Sequence, residues 1–386
     1  MNKTDELVPK LRFKQFANEN SVAWKPDFLK NISKITMGQS PSSKNYTDNP
    51  QDSILVQGNA DLYEGRVVPR VYTTQITNKA EKGSIILSVR APVGDVGITD
   101  FDVVIGRGVA ALNGSYFLYQ ILKRLKSTGY WRKYITGSTF ESINSSDIKN
   151  AKVNIPSLPE QTAIGNFFKK IDERITANEH KLEHLKQQKK GLLQKMFPKK
   201  GDTVPEMRFK GFEGEWKEVR LENIANRYDN LRKPVTASKR EKGLIPYYGA
   251  NGIQDYVNGF THNGSFVLVA EDGASDLKNY PVLYVDGKFW ANNHAHVLQS
   301  KINKSDNLFL KNVIKRTNME KYLVGGGRAK LNADVLMKIL ISTPSLQEQS
   351  HIGNFFQKYD QLITAQQNKI NHLKQQKQAL LQQMFV

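Results

Sequence analysis

The chain has 386 residues, no cysteine and a net charge of +19, from 56 basic against 37 acidic side chains. That length has room for two or three domains; the lack of cysteine excludes disulfides, thiolate metal sites and cysteine nucleophiles, and no apolar run approaches membrane-spanning length. A basic surplus spread through folded segments points to a polyanionic partner, most simply nucleic acid.

The polar start, Met1-Asn-Lys-Thr-Asp-Glu6, carries no secretory signal, and with the missing cysteines it gives the expectation of a cytoplasmic protein. A lead-in segment comes next, Val8-Pro-Lys-Leu-Arg-Phe-Lys-Gln-Phe16, then Trp24-Lys25, Leu29 and Asn31-Ile32. From about Ile32 to Asn154 helical periodicity is scarce. Residues 53–57, 83–90 and 102–105 have strand composition, Pro92, Gly94 and Gly97 punctuate turns, and 116–126 has apolar residues at helical spacing. The expectation is an α+β domain with a curved sheet.

A long helix succeeds it, from Pro156 to Phe197. Ser157 and Glu160 have the spacing of a reciprocal capping box, Pro159 suits a first turn, and Pro198 before Lys199-Lys200-Gly201 ends the helix. Then the series repeats. Val204-Pro-Glu-Met-Arg-Phe-Lys-Gly-Phe212 returns the lead-in, and Trp216-Lys217, Leu221 and Asn223-Ile224 return Trp24-Lys25, Leu29 and Asn31-Ile32. The second variable domain, about Ile224 to Ser342, gives the same coarse order: 264–270 parallels the strand after Gly83-Ser84, and 295–298 parallels 109–112. Residues 344–385 match 156–197 at 27 of 42 positions without a gap, with Ser345 and Glu348 at the capping spacing. An internal repeat of this kind makes the unit lead-in, variable domain, long helix, used twice. The boundaries drawn are 1–154, 155–200, 201–342 and 343–386.

Both helices carry an unbroken 4-3 seam. In the first it is Ile164, Phe168, Ile171, Ile175, Asn178, Leu182, Leu185, Lys189, Leu192 and Met196; in the second, Ile352, Phe356, Tyr359, Ile363, Gln366, Ile370, Leu373, Lys377, Leu380 and Met384. Such heptads supercoil with a partner helix. The polar interruptions match between copies, as they would if they fixed register or oligomer state. Two similar units associating through these helices about a pseudo-twofold axis would run them antiparallel. The ten seam positions span 33 residues, Ile164 to Met196, which at roughly 1.5 Å per residue makes a spacer of about 50 Å, enough to hold two domains on patches of duplex DNA more than a turn apart. The helices kept their sequence while the domains diverged, so the domains share a fold and differ in what they contact.

Direct readout favours arginine or lysine on guanine and Asn or Gln on adenine. The candidate DNA-binding residues in the first domain are Lys44, Asn45, Tyr46, Arg66, Arg70, Arg90 and Arg107. In the second they are Arg232, Lys233, Lys239, Arg240, Tyr247, Tyr248, Asn251, Asn292, Asn293, Arg328 and Lys330. Gly325-Gly-Gly-Arg328 reads either as a backbone approach to a phosphate or as a turn. Catalytic residues and metal ligands are not assigned. The chain has no Asn/Asp-Pro-Pro-Tyr/Phe motif and no phosphate loop; His294-x-His296 reads as polar groups at a strand end or a base contact rather than a metal site, His180 and His184 as a solvated helix face, and Glu271-Asp272 lacks the lysine of a nuclease centre.

The Pro-Ser-Leu-x-Glu-Gln-x-x-Ile-Gly-Asn-Phe-Phe helices, ending in Leu-Lys-Gln-Gln-Lys and Leu-Leu-Gln, resemble the two conserved regions of the specificity subunit of Type I restriction-modification enzymes. Met37-Gly-Gln-Ser-Pro-Ser42, Arg90-Ala-Pro-Val-Gly-Asp-Val-Gly97, Ala270-Glu-Asp-Gly-Ala-Ser275 and Phe289-Trp-Ala-Asn-Asn-His-Ala295 resemble stretches of that family's target recognition domains. The resemblance implies a non-catalytic subunit without a cofactor of its own, whose two domains each read half of a split sequence in double-stranded DNA. It implies helices that bind two modification subunits, which carry S-adenosylmethionine and methylate adenine, and ATP- and Mg²⁺-dependent restriction subunits that can join. Two alternatives stand beside it: a coiled-coil DNA clamp or tether without an enzyme partner, whose seam its own helices satisfy, and a self-sufficient nuclease or methyltransferase with unfamiliar motifs.

Overall fold

The computed structural model describes residues 7–17, 23–135, 141–325 and 329–386. The chain forms two compact units, Met1–Asn178 with Lys369–Val386, and Glu179–Asn368. The division runs through both long helices. Each unit therefore holds one α+β domain, the first half of one long helix and the second half of the other.

In the first unit Lys25–Phe28 pairs antiparallel with Lys152–Ile155, so the strand leading into the domain is zipped to the strand leaving it. Lys217–Arg220 does the same with Leu340–Thr343 in the second unit. Between the first pair lie a six-stranded and a five-stranded sheet. Residues 85–88 are buried on both faces: Ile85 and Leu87 face the helical core and Ile86 faces Val56 and Ile105 of the other sheet. That double burial is why the segment reads as a continuous apolar run instead of alternating. Gly97 proves to lie inside strand Val96–Ile98, not at a turn; a Cβ there would come within 2.9 Å of Leu62. The second domain has two four-stranded sheets, one ordered 225–227, 295–300, 266–270, 282–285 and the other 252–257, 242–249, 288–291, 262–263.

The helix expected over 116–126 is α1, Tyr116–Ser127; the long helices are α2, Leu158–Lys195, and α4, Leu346–Met384. In the second domain α3, Asn307–Arg316, starts where the Asp306 carboxylate accepts from the Phe309 N–H at 2.9 Å. Both α1 and α3 press on a long helix at a glycine. A Cβ on Gly165 would stand 3.0 Å from the Phe117 nitrogen, and one on Gly353 2.7 Å from Asp306 Oδ1 and 2.9 Å from the Phe309 nitrogen.

The capping boxes form differently from expectation. Glu160 is held bidentately by Arg12, with both contacts at 2.7 Å, and Glu348 likewise by Arg208. Both carboxylates are 1% exposed. Charged, two-pronged pairing outcompetes a reciprocal cap, and only the serine half of the box survives, where Ser345 Oγ accepts from the Glu348 N–H at 3.3 Å. This accounts for the repeated lead-ins: each brings one arginine to one helix start.

Each unit buries its own half of both seams. All sixteen apolar seam positions are buried or half-buried. At the helix ends Phe385 stacks on Phe117 at 5.4 Å and meets Trp24 at 5.8 Å, while Phe197 stacks on Phe309 and meets Trp216, both at 5.6 Å. The matched polar layers contain ion pairs. Lys377 Nζ lies 2.6 Å from Asp172, which also accepts from Tyr116 Oη at 2.7 Å and Gln120 Nε2 at 3.0 Å. Lys189 reaches Asp360 at 2.5 Å, with Lys311 on its other oxygen. In antiparallel helices the residue numbers at facing positions add to a constant, and the two lysine–aspartate pairs share one total, so both units use one register. Burial, reinforced by Lys123, draws the Lys377 ammonium down to about 8 despite Asp172. Charge at this layer therefore costs stability that apolar packing elsewhere must offset.

Glycine substitutions test these contacts. Gly353→Ala should lower stability by about 1–3 kcal/mol through overpacking, whereas Gly191→Ala, with open space around it and alanine at the matching position 379, should raise it by about 0.5–1 kcal/mol. Urea titration of both variants measures this; equal effects would contradict the close approach of α3.

Candidate nucleic-acid interface

In the first domain the Met37–Ser42 motif crosses the strand ends at 105–108 with bare backbone on both sides. A Cβ on Gly38 would lie 2.0 Å from the Gly106 carbonyl oxygen, and one on Gly108 2.0 Å from that of Gln57. This crossing gathers several loops. Ser40 Oγ accepts from the Arg107 N–H at 3.0 Å; Gln75 Oε1 accepts from the Ser42 N–H and from Asn45 Nδ2, both at 2.8 Å; Gln57 Nε2 donates to Tyr46 Oη at 2.7 Å. Lys44 and Arg107 are exposed beside these contacts. Buried Asp61 accepts from the Gln57 N–H at 2.7 Å and meets Arg70 at 3.6 Å, which joins Arg70 to the same group. Arg66, paired with Asp100 at 3.0 Å, lies on an inner strand of the six-stranded sheet, and exposed Arg90 bridges to Ser142. Gln57 and Gln75 are amides that sequence reasoning misses; nothing local distinguishes them from other surface glutamines.

The second domain sorts its candidates more sharply. Tyr247, 1% exposed, and Asn292, 3% exposed, face inward. Asn292 is held by the His294 N–H at 2.8 Å and by Gln254 at 3.3 Å. Arg232 is likewise committed, to Glu271 at 2.7 Å and to the Ala295 carbonyl at 2.9 Å. Asn251 ties the 249–252 turn to the Gly273 carbonyl at 2.9 Å and the Ser275 N–H at 2.8 Å. Tyr248 is half-buried, and burial with neighbouring Tyr256 raises its phenol pKa. Lys233, Lys239 and Asn293 are exposed; Lys330 is exposed but reaches Glu271 at 3.1 Å. Arg240 is half-buried over the Tyr247 ring at 4.2 Å. Arg328, with Gly326 and Gly327, lies outside the described residues.

Asp229, Glu271 and His296 bring ligand-type atoms within 4.8 Å of one another. Their partners already fill that space. His296 meets Asp229 through Nδ1 at 2.7 Å and the Leu331 carbonyl through Nε2 at 2.8 Å, leaving neither ring nitrogen for an ion, and Arg232 and Lys330 take Glu271. The group is an ion-pair knot that pins the 229–232 turn to strands 266–270 and 295–300. Burial would raise both carboxyl pKa values, but His296, Arg232 and the Val297 N–H outweigh it at Asp229, and Arg232, His296 and Lys330 do so at Glu271; both end below their ordinary values.

Residues 21–187 and 213–375 each match the family model of the Type I restriction modification DNA specificity domain. The chain belongs to that family. A putative type I restriction enzyme specificity subunit of Haemophilus influenzae is 48% identical over 154 residues, 40% of this chain and 39% of that protein. The putative MjaX specificity subunit of Methanocaldococcus jannaschii is 32% identical over 167 residues, again 39% of its length, so the chain spans about two fifths of each of these relatives. The MjaIX specificity subunit of the same organism is 24% identical over 325 residues, 74% of both chains. Among solved structures, the Type I restriction-modification S subunit from M. genitalium superposes with a TM-score of 0.71 at 18% identity, over 98% of this chain and 99% of that one. At that identity the likeness establishes the fold, and the Type I specificity fold accordingly has two α+β domains and two long helices. Among the described residues no helix is long and apolar enough to cross a membrane.

The knot in the second specificity domain makes a pH prediction. Depressed folded-state carboxyl pKa values supply stability that is present above about pH 4, the unfolded range, and lost as pH falls through the folded values. Arg232→Met should cost about 1–3 kcal/mol at pH 7 by removing a charge-assisted partner from Glu271, which keeps Lys330 and His296 beside it, and should flatten the acid dependence. Urea unfolding between pH 3 and 7 reads both; an unchanged acid slope would remove the knot from the account.

Proposed function

We propose that the chain is the DNA sequence-specificity subunit of a Type I restriction-modification complex and is itself non-catalytic. Each domain reads one half of a bipartite site in duplex DNA, and the paired helices set the gap. The observation that carries this reading is the contrast between helices that match at 27 of 42 positions and divergent domains within one duplicated family module. Conserved helices suit identical partners, and divergent domains suit two different half-sites. The partners are two modification subunits carrying S-adenosylmethionine, with ATP- and Mg²⁺-dependent restriction subunits joining in a restricting complex, in the cytoplasm.

The apolar seam positions of both helices are buried or half-buried within the chain, which leaves them little surface to offer another subunit. Docking falls instead on outward faces, where Leu362 is 53% exposed. An internally satisfied seam also favours a second reading, a DNA tether with no enzyme partner, which differs in having weak sequence preference.

Co-expression with a modification subunit and mapping of methylated adenines on a genome separates the two. The specificity reading predicts a stable complex and a split motif that disappears when this chain is omitted. Replacing residues 32–154 with another such domain should change one half of that motif only; a change in both halves, or no methylation pattern at all, would overturn the reading.

A further inference from the structure

We propose that the second domain carries a slot for a single unstacked nucleobase, floored by Trp290 and walled by Arg240 and Gly259. The inference rests on the DNA-reading function above and adds a base contact made by stacking. The slot measures about 390 Å³, within the roughly 300–1,000 Å³ of small-ligand sites. Tyr247 and Trp290 are neighbours on adjacent parallel strands, and their rings lie 6.3 Å apart at 28°. Tyr247 forms the buried base, its hydroxyl accepting from the Val235 N–H at 3.0 Å.

Trp290 is half-buried, and its indole N–H donates to the Lys233 carbonyl at 2.7 Å. With the donor satisfied inside the protein, the ring is fixed and its open part makes no polar demand. That is the surface on which a base stacks. Gly259 has φ of +79°, and a Cβ on it would stand 3.5 Å from Trp290 Cζ3. A left-handed glycine there turns the chain and leaves the indole rim uncovered. The guanidinium of Arg240 is held in place over Tyr247, with Nε donating to the Val235 carbonyl at 3.1 Å and Nη1 3.4 Å from Asp255. A held cation beside aromatic faces is the setting for a polarisable planar ligand.

Charge selects the ligand class. The loop over the slot, residues 232–242, carries Arg232, Lys233, Lys239, Arg240 and Lys242 against Glu241 alone. A free aromatic molecule has no use for such a rim. A base still joined to its phosphodiesters does, because exposed Lys233 and Lys239 can meet the backbone on either side. Drawing a base from the duplex costs unpairing and unstacking, and least at a mismatch, which gives the slot a signature.

The test uses the complete complex with modification subunits and duplexes carrying one mismatch, moved through each pair of the half-site read by the second domain. One position should bind about tenfold or more tightly than matched DNA, the unpairing cost having been met beforehand. Trp290→Leu should abolish that gain and weaken matched binding by about 5- to 150-fold, the equivalent of 1–3 kcal/mol for one stacked base; Trp290→Phe should keep the gain. A flat scan, or a gain that survives Trp290→Leu, overturns the slot. Normal split-motif methylation with a flat scan refutes the slot and leaves the proposed function standing, whereas failure to bind any duplex refutes both.

Discussion

The structure depends on an antiparallel helix pairing that places the end of one repeat inside the domain of the other. Phe385 completes an aromatic cluster with Trp24 and Phe117, and Phe197 completes the matching one with Trp216 and Phe309. Neither domain has a full core without the helix end that plugs it. Register is fixed where burial makes error costly: a shift of the helices would part Lys377 from Asp172 and Lys189 from Asp360 in a part-buried layer, and a buried charge that loses its partner is strongly destabilising. Apolar seams alone tolerate sliding by a heptad; charged layers do not.

The same junctions orient the domains on their helices. Tyr116 and Gln120 of α1 share Asp172, and Lys311 of α3 shares Asp360, so each domain helix, long helix and partner helix meet at one carboxylate. Gly165 and Gly353 allow that close meeting, and the arginine-held glutamates Glu160 and Glu348 lock the helix starts. The loops outside these fixed points, around Ser40 to Tyr46 and over 232–242, are free to differ between domains.

Much of this was legible in the sequence because helices advertise themselves by period. The 4-3 seam, the matched polar layers and the duplicated lead-ins all come from spacing that can be counted along the chain. The partners of those polar layers were not legible, since Asp172 and Asp360 lie off the seam and only three-dimensional pairing brings them to Lys377 and Lys189. The surroundings of the individual candidate residues were the least legible. Arg232, Tyr247 and Asn292 have the right chemistry in loop-like surroundings, yet the fold spends them on Glu271, Val235 and His294. Residue type sets what a side chain can bind; the neighbours it already has decide what it does bind.

In the function proposed, the helices measure and the domains read. Adding one heptad to both helices at their midpoints lengthens the pair by about 10 Å, at roughly 1.5 Å per residue. At about 3.4 Å per base pair, the methylated motif should keep both halves and gain about three base pairs of gap. Altered halves, or a gap that does not move, would contradict the account.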